Sequence, residues 1–179
     1  SACANGVLSS ALRFQDYERA EKLALEFFDV FNGRFYIELH PHLLKDGGLD
    51  QDMLNKQLIS IAQKNGIPLV AATDTHYLTR EDEKYHDILM AINAKKPVDD
   101  PERHRYGIDE FYVKTGDEVY DFLDKHYGKE IAEEAVNNTV KIADMCEPPD
   151  YMEPDGNHLP IFDPREEEDY KDFIEWRKK

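Results

Sequence analysis

The clearest hydrophobic periodicity lies between residues 16 and 31 and predicts an α-helix there. The apolar residues recur every three or four positions, as one face of a helix requires: Ala20, Leu23, Ala24, Phe27 and Phe31. Asn32 and Gly33 follow and favour the end of the helix. A second helical pattern covers residues 50–65, and Gly66 after it favours a left-handed helix C-terminus. These two segments are predicted as helices.

Two short segments on either side of the second helix have the composition of strands. Residues 34–39 (RFYIEL) are rich in aromatic and β-branched side chains, and residues 67–72 (IPLVAA) form an apolar run typical of a strand buried on both faces. Together with the helix between them, they predict a β-α-β unit with parallel strands. Two strands leave unpaired sheet edges, so we expect strands on the N-terminal side to be missing from this chain and the native unit to be larger.

The remaining helices are predicted from residue 80 onwards. A helix over residues 80–94, with Thr79 as its N-cap, has an apolar face made by Tyr85, Ile88, Leu89 and Ile92. A short strand is predicted at 111–114. Thr115 and Glu118 form a capping-box pattern, which favours helices over residues 116–126 and 129–145.

The chain is predicted to have three parts. Residues 1–95 contain the β-α-β pattern, and residues 96–147 form a mainly helical extension with one short strand. Residues 148–179 begin with a proline-rich strap, since five of the nine prolines fall between Pro148 and Pro164, and end with an acidic helix from about Arg165. The predicted fold class is therefore α/β.

Composition limits the partners of the chain. It has 22 Lys and Arg against 38 Asp and Glu, a net charge of −16, so any contact with DNA must be local or come from elsewhere. No apolar run approaches the roughly 18 residues that cross a membrane. The two cysteines, Cys3 and Cys146, make no disulfide framework, which favours a reducing cytoplasm, and Cys146 is predicted to be buried. Because Ser1 replaces an initiator Met, we expect an excised piece.

The strongest chemical signal is the segment TDTH that follows the second strand. Side chains two residues apart in an extended chain share a side, so Asp74 and His76 should emerge together at the carboxyl end of a parallel strand. A carboxylate and an imidazole are suitable ligands for Zn²⁺, Mn²⁺ or Fe²⁺. The alternative is that Asp74 caps a turn while His76 packs against its neighbours.

A second polar cluster follows the first strand. Alternation would align Glu38, His40 and His42, although Pro41 can break the register before His42. These side chains are either metal ligands or a polar rim of a cavity. Cys3 lies in a small-residue loop and offers a thiolate, but a single cysteine is more often simply buried. No residue is assigned a catalytic role.

Several ordered segments resemble one protein family. They are SACANGVL (1–8), DYERA (16–20), RFYIELHPH (34–42), IPLVAATDTHYL (67–78), YHDILMAI (85–92) and DDPERHRYGIDEFYVKT (99–115). Together they resemble the C-terminal part of the PHP (polymerase and histidinol phosphatase) domain of the bacterial replicative DNA polymerase III alpha subunit. The match continues through NNTVKIADMC to LPIF (159–162) and so covers nearly the whole chain.

The resemblance implies part of a distorted β/α barrel that holds divalent ions such as Zn²⁺, Mn²⁺ or Mg²⁺. Asp74, His76 and Cys3 match family ligands, whereas the early H-x-H motif of the family is absent here. His40 stands where the family usually has Gln, so Glu38, His40 and His42 are assigned only as possible cavity-lining residues. The implied activity is metal-dependent 3′–5′ phosphodiester hydrolysis that removes misincorporated nucleotides, and we expect this incomplete site to be inactive in the isolated fragment.

Two other functions stay open. The domain could be a docking module for a proofreading partner without activity of its own, or a free-standing PHP phosphatase, which the DDPER and EFYVK segments disfavour. The resemblance implies the rest of a polymerase chain as a partner, with DNA, a proofreading exonuclease subunit and a sliding clamp reached through it. A bacterial and a phage source are both compatible with the sequence.

Overall fold

The structure of the chain is a computed structural model that describes residues 3–46 and 48–146, together with residues 175 and 177. The chain divides into two compact units, residues 1–146 and 147–179. In the second unit Glu175 and Arg177 are helical and exposed. The predicted strap at 148–164 lies outside the described residues, as does the predicted last helix apart from these two positions. The three-part division stays a prediction.

The first unit is a mixed α/β structure, as predicted. Its helices are α1 (Val7–Arg13), α2 (Tyr17–Val30), α3 (Gln51–Asn65), α4 (Glu83–Ala94), α5 (Gly116–Tyr127) and α6 (Lys129–Met145), with a 3₁₀ turn at Arg80–Asp82. Its strands are β1 (Ile37–Leu39), β2 (Lys45–Asp46), β3 (Leu49–Asp50) and β4 (Leu69–Ala71). The seven-residue helix α1 was not predicted, because its segment is too short to show a helical period.

Local capping interactions explain where the helices begin and end. The Asp50 carboxylate accepts the Met53 N–H at 3.1 Å at the start of α3, and Gly66 ends that helix in the left-handed conformation with φ 65°. The predicted capping box of α5 is confirmed: the Thr115 hydroxyl accepts the Glu118 N–H, while the Glu118 carboxylate accepts the Thr115 N–H. The predicted helix boundaries therefore agree closely with the structure.

The predicted parallel pairing is confirmed. Strand β1 pairs with β4 in register Ile37 with Leu69 and Leu39 with Ala71, and α3 is the crossover helix between them. Strands β2 and β3 form a separate small antiparallel hairpin that was not predicted. The described residues contain these two two-stranded sheets and no barrel. The predicted strand at 111–114 is reduced to a single bridge between Tyr77 and Tyr112, because its partner segment is an irregular loop.

Helix α6 satisfies the other edge of β4. The Glu134 carboxylate accepts the Leu69 N–H at 2.9 Å, and the Asn138 amide donates to the Leu69 carbonyl at 2.7 Å. These residues lie one helical turn apart and bind both outward-facing backbone groups of Leu69, the first residue of β4. Side chains of α6 therefore occupy the place where a neighbouring strand would pair.

The hydrophobic core lies between α1, α2, α3 and the β1–β4 sheet, with α5 and α6 completing it. Helix α4 contributes little to this core, since Ala91 is its single buried residue. Its predicted apolar face is exposed instead, with exposed fractions from 40% to 67% for Tyr85, Ile88, Leu89 and Ile92. None of the helices in the described ranges combines the length and apolar character needed to cross a bilayer.

Candidate metal centre

The loop after β4 carries the two residues that the sequence identified first. Strand β4 ends at Ala71, and Asp74 has a left-handed backbone with φ 50°, so the chain is not extended between Asp74 and His76. The expectation that Asp74 and His76 share one side of an extended chain is therefore wrong. Instead the turn brings the His76 ring back onto the Asp74 carbonyl, with 2.6 Å between Nδ1 and the oxygen. The two side chains nevertheless border one cavity.

That cavity has a volume of about 310 Å³ and adjoins the loops that follow β1 and β4. Four of the residues singled out in the sequence line it: Cys3, His42, Asp74 and His76. The remaining lining residues are Ala4, Asn5, Arg13, Leu44, Leu49, Gln51, His104, Tyr106 and Phe111. Residues from α1, β3, α3 and four separate loops thus meet around one space.

Three side chains form a tighter cluster, of which His42 and Asp74 line the cavity. Of the three residues predicted as possible cavity-lining residues, His42 therefore lines this cavity, whereas Glu38 and His40 do not. One ligand atom from each of His40, His42 and Asp74 lies within 4.8 Å of the others. His40 Nδ1 is 3.8 Å from the Asp74 Oδ2, and its Nε2 is 3.5 Å from the Glu38 Oε2. Of the predicted ligands, only Asp74 belongs to this cluster. Glu38 approaches it through His40.

Cys3 and His76 lie outside the cluster of His40, His42 and Asp74 but border the same cavity. Cys3 is half-buried in the loop before α1, where its carbonyl accepts the Gly6 N–H at 2.8 Å. Cys146 was predicted to be buried, and that prediction is wrong: it is exposed, because it follows the last residue of α6, where no element of the described ranges covers it. The ligand roles of Asp74, His76 and Cys3 stay predictions.

His42 is the most deeply buried member of the cluster. Its exposed fraction is 2%, and burial, reinforced by the neighbouring His40, Lys114 and His76, lowers its pKa to about 3. The ring is therefore neutral at pH 7, which is the form that binds metals. Its Nε2 atom is buried without a hydrogen-bond partner among the described residues. An orphaned nitrogen of this kind costs about 1–3 kcal/mol, so it favours a bound group in the cavity.

The donor set fits a divalent ion. Two imidazole nitrogens and a carboxylate oxygen suit Zn²⁺ or Mn²⁺. In the tetrahedral geometry that zinc prefers, ligand atoms about 2.0–2.2 Å from the ion lie roughly 3.3–3.6 Å apart. The 3.8 Å between His40 Nδ1 and the Asp74 Oδ2 is slightly longer than this, so these two side chains would draw closer together on binding. His76 is also prepared as a ligand: its Nδ1–H donates to the Asp74 carbonyl, which leaves the lone pair on Nε2.

A buried hydrogen-bond network positions His40. The Asn55 amide, fully buried in α3, donates to the His40 carbonyl at 2.9 Å and to the Tyr127 hydroxyl at 3.0 Å. Gln51 in turn donates to the Asn55 Oδ1 at 2.9 Å. The Gln51 Oε1 is buried without a partner among the described residues, and Gln51 lines the cavity, so this atom can accept a hydrogen bond from a ligand or water there.

An ion pair supports the far wall of the cavity. The Arg103 guanidinium, whose side chain is fully buried, binds both carboxylate oxygens of Asp87 in α4 and also donates to the Val98 carbonyl at 2.8 Å. This pairing lowers the pKa of Asp87. It ties the loop that carries His104 and Tyr106 to α4. Arg103 belongs to the DDPER segment and Asp87 to the YHD segment, so this ion pair gives both segments a structural role.

Five polar residues of the cavity were not identified from the sequence: Asn5, Arg13, Gln51, His104 and Tyr106. Arg13 was missed because it is the last residue of α1, a helix that was not predicted. Gln51 was missed because nothing in its neighbouring sequence distinguishes it from a glutamine on the surface. His104 and Tyr106 were part of the DDPERHRYG segment, whose resemblance could have drawn attention to them. Their approach to the cavity depends on how the loop folds back.

The chain is similar over most of its length to curated bacterial DNA polymerases. It is 37% identical over 147 residues to DNA polymerase III subunit alpha of Thermus aquaticus and 34% identical over 147 residues to that of Borreliella burgdorferi. In both cases the match covers 82% of this chain but 12% of the relative. An error-prone DNA polymerase of Symbiobacterium thermophilum is 30% identical over 167 residues, which are 88% of this chain and 14% of that protein.

The chain therefore spans about an eighth of the length of the curated relatives it matches. No family model matches the sequence.

Proposed function

We propose that this chain is part of the alpha subunit of a replicative DNA polymerase and carries part of a PHP-type, metal-dependent phosphoesterase site. The similarity to DNA polymerase III alpha subunits supports the polymerase assignment. The cluster of His40, His42 and Asp74 is the observation that supports the metal site. On this proposal the whole protein is a nucleotidyltransferase that acts in DNA replication in the cytoplasm.

The residues of this chain would hold a divalent ion, with His40, His42 and Asp74 as ligands. When bound, such an ion supplies Lewis acidity towards a phosphate ester. His42 is neutral at pH 7 because of its burial. Its Nδ1 accepts the Leu44 N–H at 3.4 Å, which places the ring proton on Nε2, so that proton would have to move to Nδ1 before Nε2 could bind the ion. His76 and Cys3 border the same cavity and are proposed as ligands of a further ion. The 3′–5′ exonuclease reaction is the proposed use of this site.

The wider assembly is proposed on the same basis. DNA synthesis would take place in the remainder of the polymerase chain, which would also bring the DNA to this unit. A proofreading exonuclease subunit and a sliding clamp are proposed as partners of that larger protein. The net charge of −16 agrees with DNA being held mainly by other parts of it.

Metal titration tests the proposed site. Calorimetric titration of the 179-residue chain with Zn²⁺ and with Mn²⁺ should show weak binding, since few ligands are present. His40→Ala and Asp74→Ala each remove one ligand and should weaken the affinity for the metal ion about tenfold or more. Asp29→Ala and His126→Ala remove a carboxylate and an imidazole away from the cavity and should change the affinity less than about twofold. Affinity that is unchanged in His40→Ala and Asp74→Ala would contradict the site.

The exposed face of α4 supports a second role, that of a packing module within the larger protein. Leu89 and Ile92 are 62% and 67% exposed, and with Tyr85 and Ile88 they form one continuous apolar face. Contiguous apolar faces of this kind mark interaction sites. Because the match covers 12% of the relative, we propose that the remainder of the polymerase chain covers this face.

Lysine substitutions on α4 test this role. Leu89→Lys with Ile92→Lys should lower self-association of the isolated chain, measured by sedimentation velocity, and leave its melting temperature nearly unchanged because these side chains lie in solvent. In a longer polymerase chain the same pair should destabilise the protein. Ala94→Lys, which adds a lysine at an exposed position of the same helix outside the apolar face, is the control. A large loss of stability in the short chain would show that the face is already packed.

A further inference from the structure

Arg13 is a cation on the wall of the cavity, and no acidic partner for it lies among the residues that the structure describes. It is the last residue of α1 and is exposed, and it borders the same 310 Å³ space as Asp74 and His76. Its Nη1 donates a hydrogen bond to the Asn5 Oδ1 at 3.2 Å. Within residues 3–46 and 48–146, no carboxylate lies within ion-pair distance of it. Its guanidinium can therefore bind an anionic group that enters the cavity.

The elements around Arg13 hold it in place. Leu8 and Leu12 of α1 are almost fully buried, so the helix that carries Arg13 is anchored in the core. Asn5 also lines the cavity, and its Oδ1 is used by Arg13. The Asn5 amide N–H groups then have no partner among the described residues and can donate to a ligand. The guanidinium and the amide thus form a pair of hydrogen-bond donors on one wall.

The other walls of the cavity supply complementary groups. Asp74 and His42 belong to the metal cluster, and the buried Gln51 Oε1 needs a hydrogen-bond donor. Tyr106 and His104 add ring surface. A ligand that fits these walls carries an anionic group for the donors and the cation, and a hydroxyl or N–H group for Gln51. A nucleoside monophosphate, or the last nucleotide of a strand, has both.

We propose that Arg13, oriented by Asn5, binds the phosphate group of the ligand in this cavity. Guanidinium groups bind phosphate through two parallel N–H···O bonds, which fix its orientation as well as its position. Arg13 is thus a positioning residue for a phosphate ester whose other oxygens face the metal cluster. This inference rests on the proposed function, because it places a phosphate beside the candidate metal ligands.

A competing explanation is that Arg13 serves only the end of α1. A cation in the last turn of a helix interacts favourably with the carbonyl end of the helix dipole. That role predicts a small effect on stability and none on ligand affinity. Binding of a carboxylate in place of a phosphate is the other alternative, and acetate serves as its probe.

The experiment measures binding of thymidine 5′-monophosphate, of inorganic phosphate and of acetate to the full 179-residue chain by calorimetry at saturating Mn²⁺. Variants are Arg13→Gln, Arg13→Lys and the control Arg19→Gln, whose arginine lies exposed on α2 away from the cavity. We expect Arg13→Gln to weaken binding of the monophosphate about tenfold, as loss of a charged hydrogen bond does, and Arg13→Lys to recover part of it. Arg19→Gln should behave as wild type.

A separate titration with Mn²⁺ alone distinguishes the two proposals. If Mn²⁺ affinity is normal in Arg13→Gln and monophosphate affinity falls, the inference stands. If monophosphate affinity is equal in Arg13→Gln and Arg19→Gln, or if acetate binds as tightly as phosphate, the inference is wrong while the metal site stands. If Mn²⁺ does not bind in wild type, the proposed metal site fails, and any monophosphate binding that still depends on Arg13 identifies a metal-independent phosphate site. Absence of monophosphate binding in every variant overturns the inference.

Discussion

At the scale of single residues, a chain of hydrogen bonds through Asn55 fixes the backbone of His40 and so positions the cluster of His40, His42 and Asp74. Asn55 joins the His40 carbonyl to the Tyr127 hydroxyl, so residues far apart in the chain share one buried amide. Burial raises the pKa of Tyr127 to about 12, and the hydrogen bond from Asn55 partly opposes this shift. Tyr127 therefore reports on the integrity of this network.

The raised pKa of Tyr127 predicts a loss of stability at high pH. An unfolded tyrosine loses its proton near pH 10, whereas the folded one keeps it up to about pH 12, so the native state binds more protons in this window. The free energy of unfolding should therefore fall as the pH rises from 10 to 12, by on the order of 1 kcal/mol because solvent screens the partly exposed ring. Below pH 10 this contribution is constant.

Urea unfolding at a series of pH values checks this expectation. Tyr127→Phe should have lower stability near neutral pH, since Asn55 loses a partner, and a shallower decline between pH 10 and 12. Tyr85→Phe, which removes a hydroxyl from an exposed ring, should keep the wild-type decline. Equal slopes in Tyr127→Phe and wild type would contradict the assignment.

At the scale of elements, α6 ends the parallel sheet at β4. Glu134 and Asn138 are four residues apart and bind the N–H and the carbonyl of Leu69. An edge strand with unpaired backbone groups can pair with another chain, and a covering helix removes that risk. Helix α6 thus protects one edge of the two-stranded sheet.

Removing the amide that binds Leu69 should destabilise the fold. Asn138→Ala leaves the Leu69 carbonyl without its donor in a buried position, which costs about 1–3 kcal/mol. Asn137→Ala, next to it on the exposed side of α6, should change stability by less than about 0.5 kcal/mol. Chemical denaturation of both variants measures the difference. Similar values for the two would show that water replaces the Asn138 amide at no cost.

At the scale of the whole molecule, the short sheet and the few ligands point to a site that is completed by other parts of a polymerase. The 179-residue chain should show no measurable removal of a mismatched primer end. A longer chain from the same gene should show it in the presence of Mn²⁺ or Zn²⁺. In that longer chain, Asp74→Asn should reduce the exonuclease rate at least about tenfold and leave nucleotide incorporation unchanged.

Assays of primer shortening and primer extension on the same template separate these activities. His126→Gln in the longer chain is the control, since His126 stacks on Phe122 away from the cavity. Exonuclease activity that survives both Asp74→Asn and His76→Gln would show that the site lies elsewhere. It would leave the polymerase assignment untouched.

The elements that the sequence predicted well depend on interactions between near neighbours. Asp50 and Gly66 limit α3, and Thr115 with Glu118 starts α5, because each cap joins residues at most four positions apart. The parallel pairing of β1 with β4 also followed from the chain, since a crossover helix between two short apolar strands favours it. Asp74 and His76 were found because polar residues that follow a buried strand stand out locally.

Tertiary structure alone decided which side chains meet. His40 and His42 come within ligand distance of Asp74 only because β1 and β4 lie side by side, which places residues more than thirty positions apart at one end of the sheet. Arg13 and Gln51 reach the same cavity through α1 and α3. The sequence also could not show that the apolar face of α4 is exposed. Periodicity shows that a helix has an apolar face, but whether that face is buried depends on another element that covers it.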